Sequence, residues 1–284
     1  MDMNVEQTSG ATDETAGKWV VILGASSGTG AAIARTAARR LGMNVFGVHR
    51  GHYMEQAVAL ENDVRTLGRR IHLRVGDAGN AEGAEDGTAE LLSLAGPRSV
   101  KLFVHSIANA SLGTLSPGGE RRLEPRHFHK TFDSMAHSFV YWIQRLIDRD
   151  LLAPSARLLG LSNSAGDVVM KGTGLIAAVK AALTVYVKHL AHELGPRGHR
   201  VNLLKFAAVV TPAVRRTFGD ERFERLRHVL ETTTPARRMC TVEEVADLVA
   251  QLTSDGMDWF NGATIDFTGG EFQALVDVLL SGEQ

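Results

Sequence analysis

Cysteine is almost absent from this sequence. The 284 residues contain one cysteine, Cys240, so no internal disulfide bond can form. No group of cysteine and histidine residues has the spacing of a zinc site, and we expect no bound metal. Because structural disulfides belong to oxidising compartments, their absence favours a cytoplasmic protein.

An excess of charge of one sign is also missing. The chain has 31 Lys and Arg residues against 32 Asp and Glu residues, which gives a net charge of -1. Since a balanced chain creates no broad positive field, we expect neither nucleic acid nor a membrane surface as a partner. No apolar stretch approaches the roughly 20 residues that cross a bilayer, which argues against an embedded protein.

The beginning of the chain lacks the marks of a secretory signal. Residues 1–17 contain four acidic side chains and no basic one, with Gly, Ser and Thr between them. A signal peptide needs a basic start followed by an apolar core. We therefore predict a disordered acidic tail over residues 1–17 and a single folded domain over residues 18–284.

Short apolar segments alternate with longer helical ones from Lys18 onward. Hydrophobic residues make up 44% of the chain and charged residues 22%, as in globular proteins. The alternation predicts a Rossmann-like α/β fold, with helices on both faces of a doubly wound, parallel, seven-stranded sheet. The strand candidates are Trp19–Leu23, Asn44–Val48, Ile71–Val75, Val100–His105, Arg157–Leu161, Arg200–Phe206 and Thr264–Phe267.

The segments between these strands have the length and pattern of helices. Gly42, Gly68 and Gly195 stand where a left-handed residue would close a helix. Irregular stretches at about 110–125 and 207–235 follow strand ends, where doubly wound folds bind ligands, and we predict them to be loops for a small-molecule substrate. The helix candidates are Thr29–Leu41, Met54–Leu67, Ala81–Leu94, Arg126–Arg149, Gly174–Leu194 and Val242–Leu252.

A glycine-rich turn joins the first strand to an alanine-rich helix. Its glycines permit a tight turn and let the backbone approach a pyrophosphate at the positive end of the helix. The order of strand, turn and helix favours dinucleotide binding over a turn that only lets helix and sheet pack. The residues predicted to bind the cofactor here are Gly24, Ser26, Ser27, Gly28, Thr29 and Gly30.

The end of the second strand predicts which dinucleotide is bound. An acidic residue there would select NAD, whereas this chain has His49 and Arg50. The Arg50 guanidinium can bind a 2′-phosphate with two hydrogen bonds, so we predict NADPH, with His49 beside it. The alternative for Arg50 is a solvated arginine at a strand end.

Several segments together carry a family resemblance. They are the glycine turn, Asp77, His105-Ser-Ile-Ala-Asn-Ala110, the stretch from Arg200 to Thr211, and Asp266-Phe-Thr-Gly-Gly270. Over about residues 18–271 the chain resembles the short-chain dehydrogenase/reductase family, and especially its enoyl-acyl-carrier-protein reductase branch. The resemblance implies a cofactor site that includes Asp77, Ser106, Ile107, Ala108 and Thr211. Ala207-Ala208 departs from the Pro-Gly pair of the family.

A tyrosine is missing where the resemblance requires one. The family's catalytic tyrosine precedes a lysine by four residues, or by seven in the enoyl branch. The lysine that fits is Lys180, and Ile176 and Thr173 stand at those two positions. A threonine hydroxyl is far too weakly acidic to replace a phenol. No lysine stands at either spacing after the three tyrosines of the chain, which are Tyr53, Tyr141 and Tyr186.

Other candidate catalytic residues follow the fifth strand. Ser162 or Ser164 matches the substrate-binding serine of the family, and a structural turn is the alternative for both. The resemblance implies that Lys180 binds the hydroxyls of the ribose attached to the nicotinamide. The alternative is a lysine on a solvated helix face. We expect Asn163 only to line the pocket. We expect surface or core positions for the histidines that lie near the cleft in sequence, which are His105, His127, His129 and His137.

The absence of the family's tyrosine limits which reactions the protein can catalyse. Reduction needs a proton for the alkoxide that forms, and a phenol of the substrate beside its carbonyl can supply that proton. In this respect the chain is similar to tyrosine-deficient ketoreductases that reduce aromatic polyketides. Enoyl-thioester reduction and a non-catalytic nucleotide-binding regulator are the alternatives. Because helix 174–194 resembles the family's subunit-contact helix, we expect a homodimer or homotetramer.

Overall fold

The computed structural model describes residues 15–118, 121–211, 214–215, 219–271 and 273. Most of the predicted acidic tail, residues 1–14, lies outside the described residues. The last three residues of that segment form a turn, in which Thr15 is buried and the Gly17 N–H donates to the Gly42 carbonyl at 3.0 Å. These three residues therefore belong to the folded domain.

The core of the fold is a sheet of seven strands in the order β3-β2-β1-β4-β5-β6-β7. Every neighbouring pair of strands runs parallel. The sequence reverses direction across the sheet between β1 and β4, which confirms the doubly wound prediction. The strands are β1 Trp19–Leu23, β2 Asn44–His49, β3 Ile71–Val75, β4 Val100–His105, β5 Leu152–Asn163, β6 Arg200–Phe206 and β7 Thr264–Phe267.

Helices cover both faces of the sheet, as predicted. One apolar core lies under α3, α5 and α6, and a second core lies under α1, α2 and α8 on the opposite face. The described helices are α1 Gly28–Arg40, α2 Met54–Thr66, α3 Ala81–Ala95, α4 Pro125–Phe132, α5 Ser138–Asp148, α6 Gly174–Leu194, α7 Asp220–Thr233 and α8 Val242–Thr253.

Three predicted segments differ from the structure by more than one residue at a boundary. The strand predicted from Arg157 begins five residues earlier, at Leu152. The helix predicted over Arg126–Arg149 is interrupted by a π-helical turn at Asp133–His137, which separates α4 from α5. The loop predicted at 207–235 contains the whole of α7. The charged sequence of α7 hides a narrow apolar face, since Phe223 and Leu230 are its buried apolar residues.

One predicted helix-closing residue was wrong. Gly195 has a right-handed conformation, with φ of -55°, and continues α6 into a short 3-10 turn over Gly195–Arg197. The left-handed residue is Gly198, with φ of 88°. Gly42 and Gly68 have the predicted positive φ angles, 65° and 70°.

Helix α6 corrects one expectation about hydropathy. Together with the turn that follows it, this segment is long and apolar enough to cross a membrane by length and composition alone. The expectation that no segment approaches that size is therefore wrong for α6. Its Leu175, Val179, Leu183 and Val187 side chains are buried in the core beneath the sheet, as in the central helix of a globular domain.

Candidate active site

A cavity of about 440 Å³ opens along the carboxyl edge of the sheet. The ends of β1 to β6 all contribute to its lining, because parallel strands bring their carboxyl ends to one edge. Both predicted substrate loops reach it, the first through Ala110 and Leu112 and the second through Ala207, Thr211 and neighbouring residues.

The glycine turn forms one end of this cavity. Gly24 has φ of 88°, and a Cβ atom added there would lie 2.5 Å from the Ser106 carbonyl oxygen. Gly28, with φ of 56°, begins α1. The backbone amides at the start of α1 therefore face open space, with Ser26, Ser27 and Thr29 also in the lining.

Gly30 has a different position from the other predicted cofactor residues. It does not line the cavity as the described residues define it. A Cβ atom at Gly30 would lie 2.1 Å from the Gly24 carbonyl oxygen, so this glycine allows α1 to pack against the turn. The structure shows this packing role for Gly30, and its contact with the cofactor stays a prediction.

His49, Arg50 and Asp77 lie together beside the glycine turn. His49 is buried, its Nδ1 accepts the Gly51 N–H at 3.2 Å, and burial lowers its pKa, so it is a neutral structural residue that also lines the cavity. Arg50 is exposed and has no ion-pair or hydrogen-bond partner among the described residues. The Asp77 carboxylate accepts the Gly79 N–H at 2.9 Å.

Sequence reasoning missed two neighbours of this group. His52 and Tyr53 also line the cavity next to Arg50. They follow β2 directly, and their nearness to Arg50 in the chain was the available signal. Tyr53 is the one tyrosine of the chain in the lining. It follows β2, whereas Lys180 lies on the helix that follows β5, and two strands separate β2 from β5 in the sheet.

The middle of the cavity is formed by the end of β4. Ser106, Ile107 and Ala108 line it, and the Ser106 N–H donates to the Leu23 carbonyl at 3.0 Å, which fixes this segment against the glycine turn. Thr211 lines the opposite side and accepts the Val214 N–H on its hydroxyl at 3.3 Å. The cofactor residues predicted after β4 and after β6 therefore line the same cavity.

These residues fit a nicotinamide dinucleotide. Gly24 leaves the space that a backbone-bound pyrophosphate needs, and the free Arg50 guanidinium suits an anionic group on the ribose. Ser106 to Ala108 and Thr211 would hold the remainder. When bound, a reduced nicotinamide supplies the two electrons and hydrogen of a reduction.

Lys180 and Ser162 form the polar pair at the other end of the cavity. Lys180 lies on α6 and is 9% exposed, and its Nζ donates to the Ser162 hydroxyl oxygen at 3.4 Å. Burial lowers the pKa of Lys180 to about 8, an effect that Asp167 partly opposes. Because Ser162 accepts from Lys180, its own hydroxyl hydrogen is free to bind a carbonyl oxygen.

Ser164 is tied to a residue that sequence reasoning missed. Its hydroxyl donates to the Glu271 carboxylate, whose second oxygen accepts the Ala208 N–H at 2.7 Å. Glu271 is buried and lines the cavity. Burial raises its pKa, and the Ala208 hydrogen bond opposes that rise. No local motif marks Glu271, because it lies 107 residues from Ser164 in the chain.

The positions four and seven residues before Lys180 are part of the cavity wall. Ile176 and Thr173 both line it. The Thr173 hydroxyl donates to the Met170 carbonyl at 3.0 Å, so its hydrogen is already engaged. The Tyr141 hydroxyl donates to Asp133 at 3.4 Å, away from the described cavity lining, and Tyr186 lies outside that lining as well.

His105 is a core residue, as expected. It is 1% exposed, and burial lowers its pKa to about 4, which keeps the imidazole neutral. Its Nε2 lies 2.8 Å from the Ser138 hydroxyl, which itself donates to the Ser134 carbonyl at 2.9 Å. Nε2 therefore carries the hydrogen, and His105 is not a proton donor to the cavity.

The other three candidate histidines also lie outside the described lining. His127 accepts the Glu124 N–H at 2.8 Å and takes part in the cap of α4. His137 pairs with Asp133 at 3.1 Å, and His129 is exposed. The expectation of surface or structural positions is confirmed for all three.

The fold and the cavity together are those of a dinucleotide-binding α/β protein. A family model described as enoyl-(acyl carrier protein) reductase matches residues 24–271. The chain belongs to the short-chain dehydrogenase/reductase family, of which this model covers one group. It is accordingly an NAD(P)-dependent oxidoreductase.

Curated relatives agree with this assignment. The chain is 26% identical over 250 residues to 1-cyclohexenylcarbonyl-CoA reductase of Streptomyces collinus, covering 88% of this chain and 85% of the relative. It is 27% identical over 263 residues to 3-oxoacyl-acyl-carrier-protein reductase of Escherichia coli, covering 90% and 98%. It is 29% identical over 168 residues to the NADH-dependent enoyl-acyl-carrier-protein reductase of Escherichia coli, covering 59% and 62%.

Solved structures show the same fold. L-sorbose reductase from Gluconobacter frateurii, complexed with NADPH and L-sorbose, has a TM-score of 0.78 at 21% identity, covering 92% of this chain and 99% of that one. A short-chain dehydrogenase from Burkholderia cenocepacia in complex with NADP has a TM-score of 0.78 at 22% identity, covering 90% and 98%. These likenesses concern the fold alone.

Proposed function

We propose that this protein is an NADPH-dependent ketoreductase that reduces a carbonyl of an aromatic polyketide, with the proton supplied by the substrate. One observation carries the proposal. Lys180 and Ser162 meet in the cavity at 3.4 Å, while the two tyrosine positions hold Ile176 and a Thr173 whose hydrogen is engaged. The chain thus keeps the groups that position a carbonyl, and neither family position holds a phenol to protonate it.

The chain's own residues define the first part of the mechanism. The Ser162 hydroxyl donates to the carbonyl oxygen, and the Lys180 ammonium holds Ser162 and the ribose side of the cavity. A phenol beside the carbonyl is already hydrogen-bonded to that oxygen, so it polarises the carbonyl and transfers its proton as the alkoxide develops. A substrate of this kind needs no phenol from the protein.

The cavity walls favour an aromatic substrate. Apolar side chains surround the Lys180 end, so a fused aromatic ring system would be desolvated there. An angucyclinone in antibiotic biosynthesis, such as the one reduced on the way to simocyclinone, combines such a ring system with a phenol beside a ketone. The apolar lining residues are Leu112, Met135, Val168, Met170, Ile176 and Leu226.

Two features support NADPH as the cofactor. Arg50 is exposed at the end of β2 with no partner among the described residues, and no acidic side chain takes its place there. Structural neighbours of the same fold are bound to NADP or NADPH. A 2′-phosphate would pair with the Arg50 guanidinium, whereas NADH offers it no anionic group.

Oxidation of NADPH with matched ketones tests the proposal. We expect turnover of 8-hydroxy-1-tetralone, in which the phenol chelates the carbonyl, and at least a tenfold lower rate with its methyl ether. Equal rates for the two ketones would overturn proton supply by the substrate. If neither ketone causes oxidation of NADPH, the proposed ketoreductase activity is wrong.

Enoyl-thioester reduction is the second candidate. The matching family model and two of the relatives described above favour it. Crotonyl-CoA distinguishes the two reactions: its reduction, without reduction of the phenolic ketone, would establish the enoyl reductase. A protein that binds NADPH and oxidises it with neither substrate would be a non-catalytic regulator.

We also propose that the protein is a cytoplasmic homodimer or homotetramer. The outer face of α6 supports an assembly, because Val185 is 51% exposed there and Ala178 and Ala181 beside it are exposed. Sedimentation of the wild-type protein and of Val185→Glu tests this. A monomer in the wild type would contradict it.

A further inference from the structure

Ser164 and Glu271 stand beside the Lys180–Ser162 pair, and the mechanism above does not use them. Ser164 is 8% exposed and Glu271 is 7% exposed, and both line the cavity. Glu271 connects two loops that follow neighbouring strands, since it accepts from Ser164 after β5 and from Ala208 after β6. It therefore fixes the two walls between which the carbonyl must enter.

The direction of each hydrogen bond follows from the donors. A backbone N–H can only donate, so one Glu271 oxygen must accept from Ala208. The other oxygen accepts from the Ser164 hydroxyl, whose single hydrogen is thereby engaged. What Ser164 presents to the cavity is the lone pairs of its oxygen, so it can accept a hydrogen bond but not donate one.

Ser162 has the opposite hydrogen-bonding role and offers a donor to the cavity. Its oxygen accepts from Lys180, and its hydrogen is free. Ser162 lies in β5, and Ser164 is the first residue of the 3-10 turn that follows it, so their Cα atoms are roughly 5–7 Å apart. The cavity therefore offers a donor for one substrate oxygen and, several ångströms away, an acceptor for another.

We infer that Ser164 is a specificity residue that accepts a hydrogen bond from a second hydroxyl of the substrate, with Glu271 as the positioning residue that sets its polarity. This rests on the proposed function, because it assigns a further substrate group to the same site. The hydroxyl that Ser164 binds is distinct from the phenol chelated to the carbonyl. A polyphenolic ketone fits this pattern better than an acyl thioester.

Two tetralones test the acceptor directly. Both 6,8-dihydroxy-1-tetralone and 8-hydroxy-1-tetralone carry the chelated phenol, and only the first has a second hydroxyl. We expect the wild-type protein with NADP⁺ to bind the dihydroxy compound about three- to tenfold more tightly at about pH 6.5, where its 6-hydroxyl keeps the hydrogen that it donates, by calorimetric titration. Equal affinities in the wild type would overturn the inference.

Substitution of Glu271 makes a sharper prediction. In Glu271→Gln the amide oxygen must face the Ala208 N–H, so the amide NH₂ faces Ser164 and turns that serine into a donor. The preference for the dihydroxy compound should fall to less than twofold, or reverse in favour of its 6-methyl ether. A general structural defect would weaken the binding of both compounds alike, so the ratio of their two affinities is the readout for this variant.

Control variants complete the test. Ser164→Ala should bind both tetralones equally, and this variant keeps the inference testable should Glu271→Gln not fold. Glu193→Gln removes a carboxylate from the exposed side of α6 and should retain the wild-type preference. A wild-type preference in Ser164→Ala would overturn the assignment.

The two proposals fail in different ways. Preferential binding of the dihydroxy compound with no oxidation of NADPH by either ketone would overturn the reaction and leave the Ser164 site standing. Oxidation of NADPH by both ketones, without any difference in binding, would overturn the Ser164 site and leave the reaction standing.

Discussion

At the scale of single residues, Lys180 shows how burial and function oppose each other. Its ammonium group is buried at the wall of the cavity beside Ser162, and burial lowers its pKa to about 8 from 10.5. That difference corresponds to on the order of 3 kcal/mol of unfavourable free energy at neutral pH. A residue kept at such a cost has a role that packing does not explain.

We predict that Lys180→Met abolishes reduction and stabilises the protein at about pH 7. In the wild type, the unfolded state holds the Lys180 proton more tightly than the folded state between about pH 8 and 10.5. Stability of the wild type therefore rises with pH across this range, and the advantage of Lys180→Met shrinks there. Urea unfolding at several pH values measures this.

Lys188→Met is the control for that prediction. Lys188 is an exposed residue of the same helix, so its loss should change stability by less than about 0.5 kcal/mol at any pH. A pH-independent gain in Lys180→Met, equal to that of Lys188→Met, would show that burial of the charge is not the cause.

Thr173 gives the second residue-scale prediction. Because its hydroxyl donates to the Met170 carbonyl, Thr173→Ala should lose about 1 kcal/mol of stability and keep kcat within about twofold. Steady-state rates with 8-hydroxy-1-tetralone check this, with Thr173→Ser as the control that keeps the hydroxyl. A drop in kcat of a hundredfold in Thr173→Ala, restored in Thr173→Ser, would make Thr173 a proton donor.

At the scale of elements, the unit β1–turn–α1 decides cofactor binding. We predict that Gly24→Ala weakens NADPH binding at least tenfold and destabilises the fold by about 1–3 kcal/mol, because a Cβ atom there meets the Ser106 oxygen at 2.5 Å and φ is 88°. Gly68→Ala is the matched control. It has a similar φ of 70° and nothing within 4 Å of the added atom.

Fluorescence titration with NADPH separates the two glycine variants. Gly68→Ala should lower the free energy of unfolding through backbone strain alone. It should bind NADPH as tightly as the wild type. Equal NADPH affinity in Gly24→Ala and the wild type would mean that the close approach of this turn to the β4 end does not shape the cofactor site.

The elements that the sequence concealed share a physical cause. Helix α7 has Phe223 and Leu230 as its buried apolar residues, so charged side chains obscure its periodicity. In β5 the early residues include Pro154 and a positive φ at Ser155, both unusual in a strand, although parallel pairing with β4 begins at Leu152. Gly195 is followed by proline in a 3-10 turn, which moves the left-handed residue to Gly198.

At the scale of the whole molecule, cofactor binding must raise the free energy of unfolding. A ligand that binds only the folded state at one hundred times its Kd adds about 2.7 kcal/mol, which for a chain of 284 residues raises Tm by several degrees. We predict a larger rise with NADPH than with NADH at equal concentration. Differential scanning fluorimetry measures both.

Arg50→Asp should reverse that order. The substitution removes the cation available to a 2′-phosphate and adds a repelling carboxylate, while NADH keeps its contacts. The Tm rise with NADPH should disappear and that with NADH should remain. An unchanged preference for NADPH would remove Arg50 from the phosphate site.

The family resemblance implied the cofactor roles of Asp77, Ser106 and Thr211. Local patterns in the sequence determined the alternation of strands and helices, the parallel sheet, the glycine turn, and the position of Arg50 at the end of β2. Each of these depends on contacts between residues close in the chain or on the common direction of parallel strands. The tertiary structure alone decided that Glu271 meets Ser164 and Ala208, and that Gly30 packs against the Gly24 carbonyl. Those contacts depend on which loops become neighbours after the sheet has formed, and no local spacing encodes that.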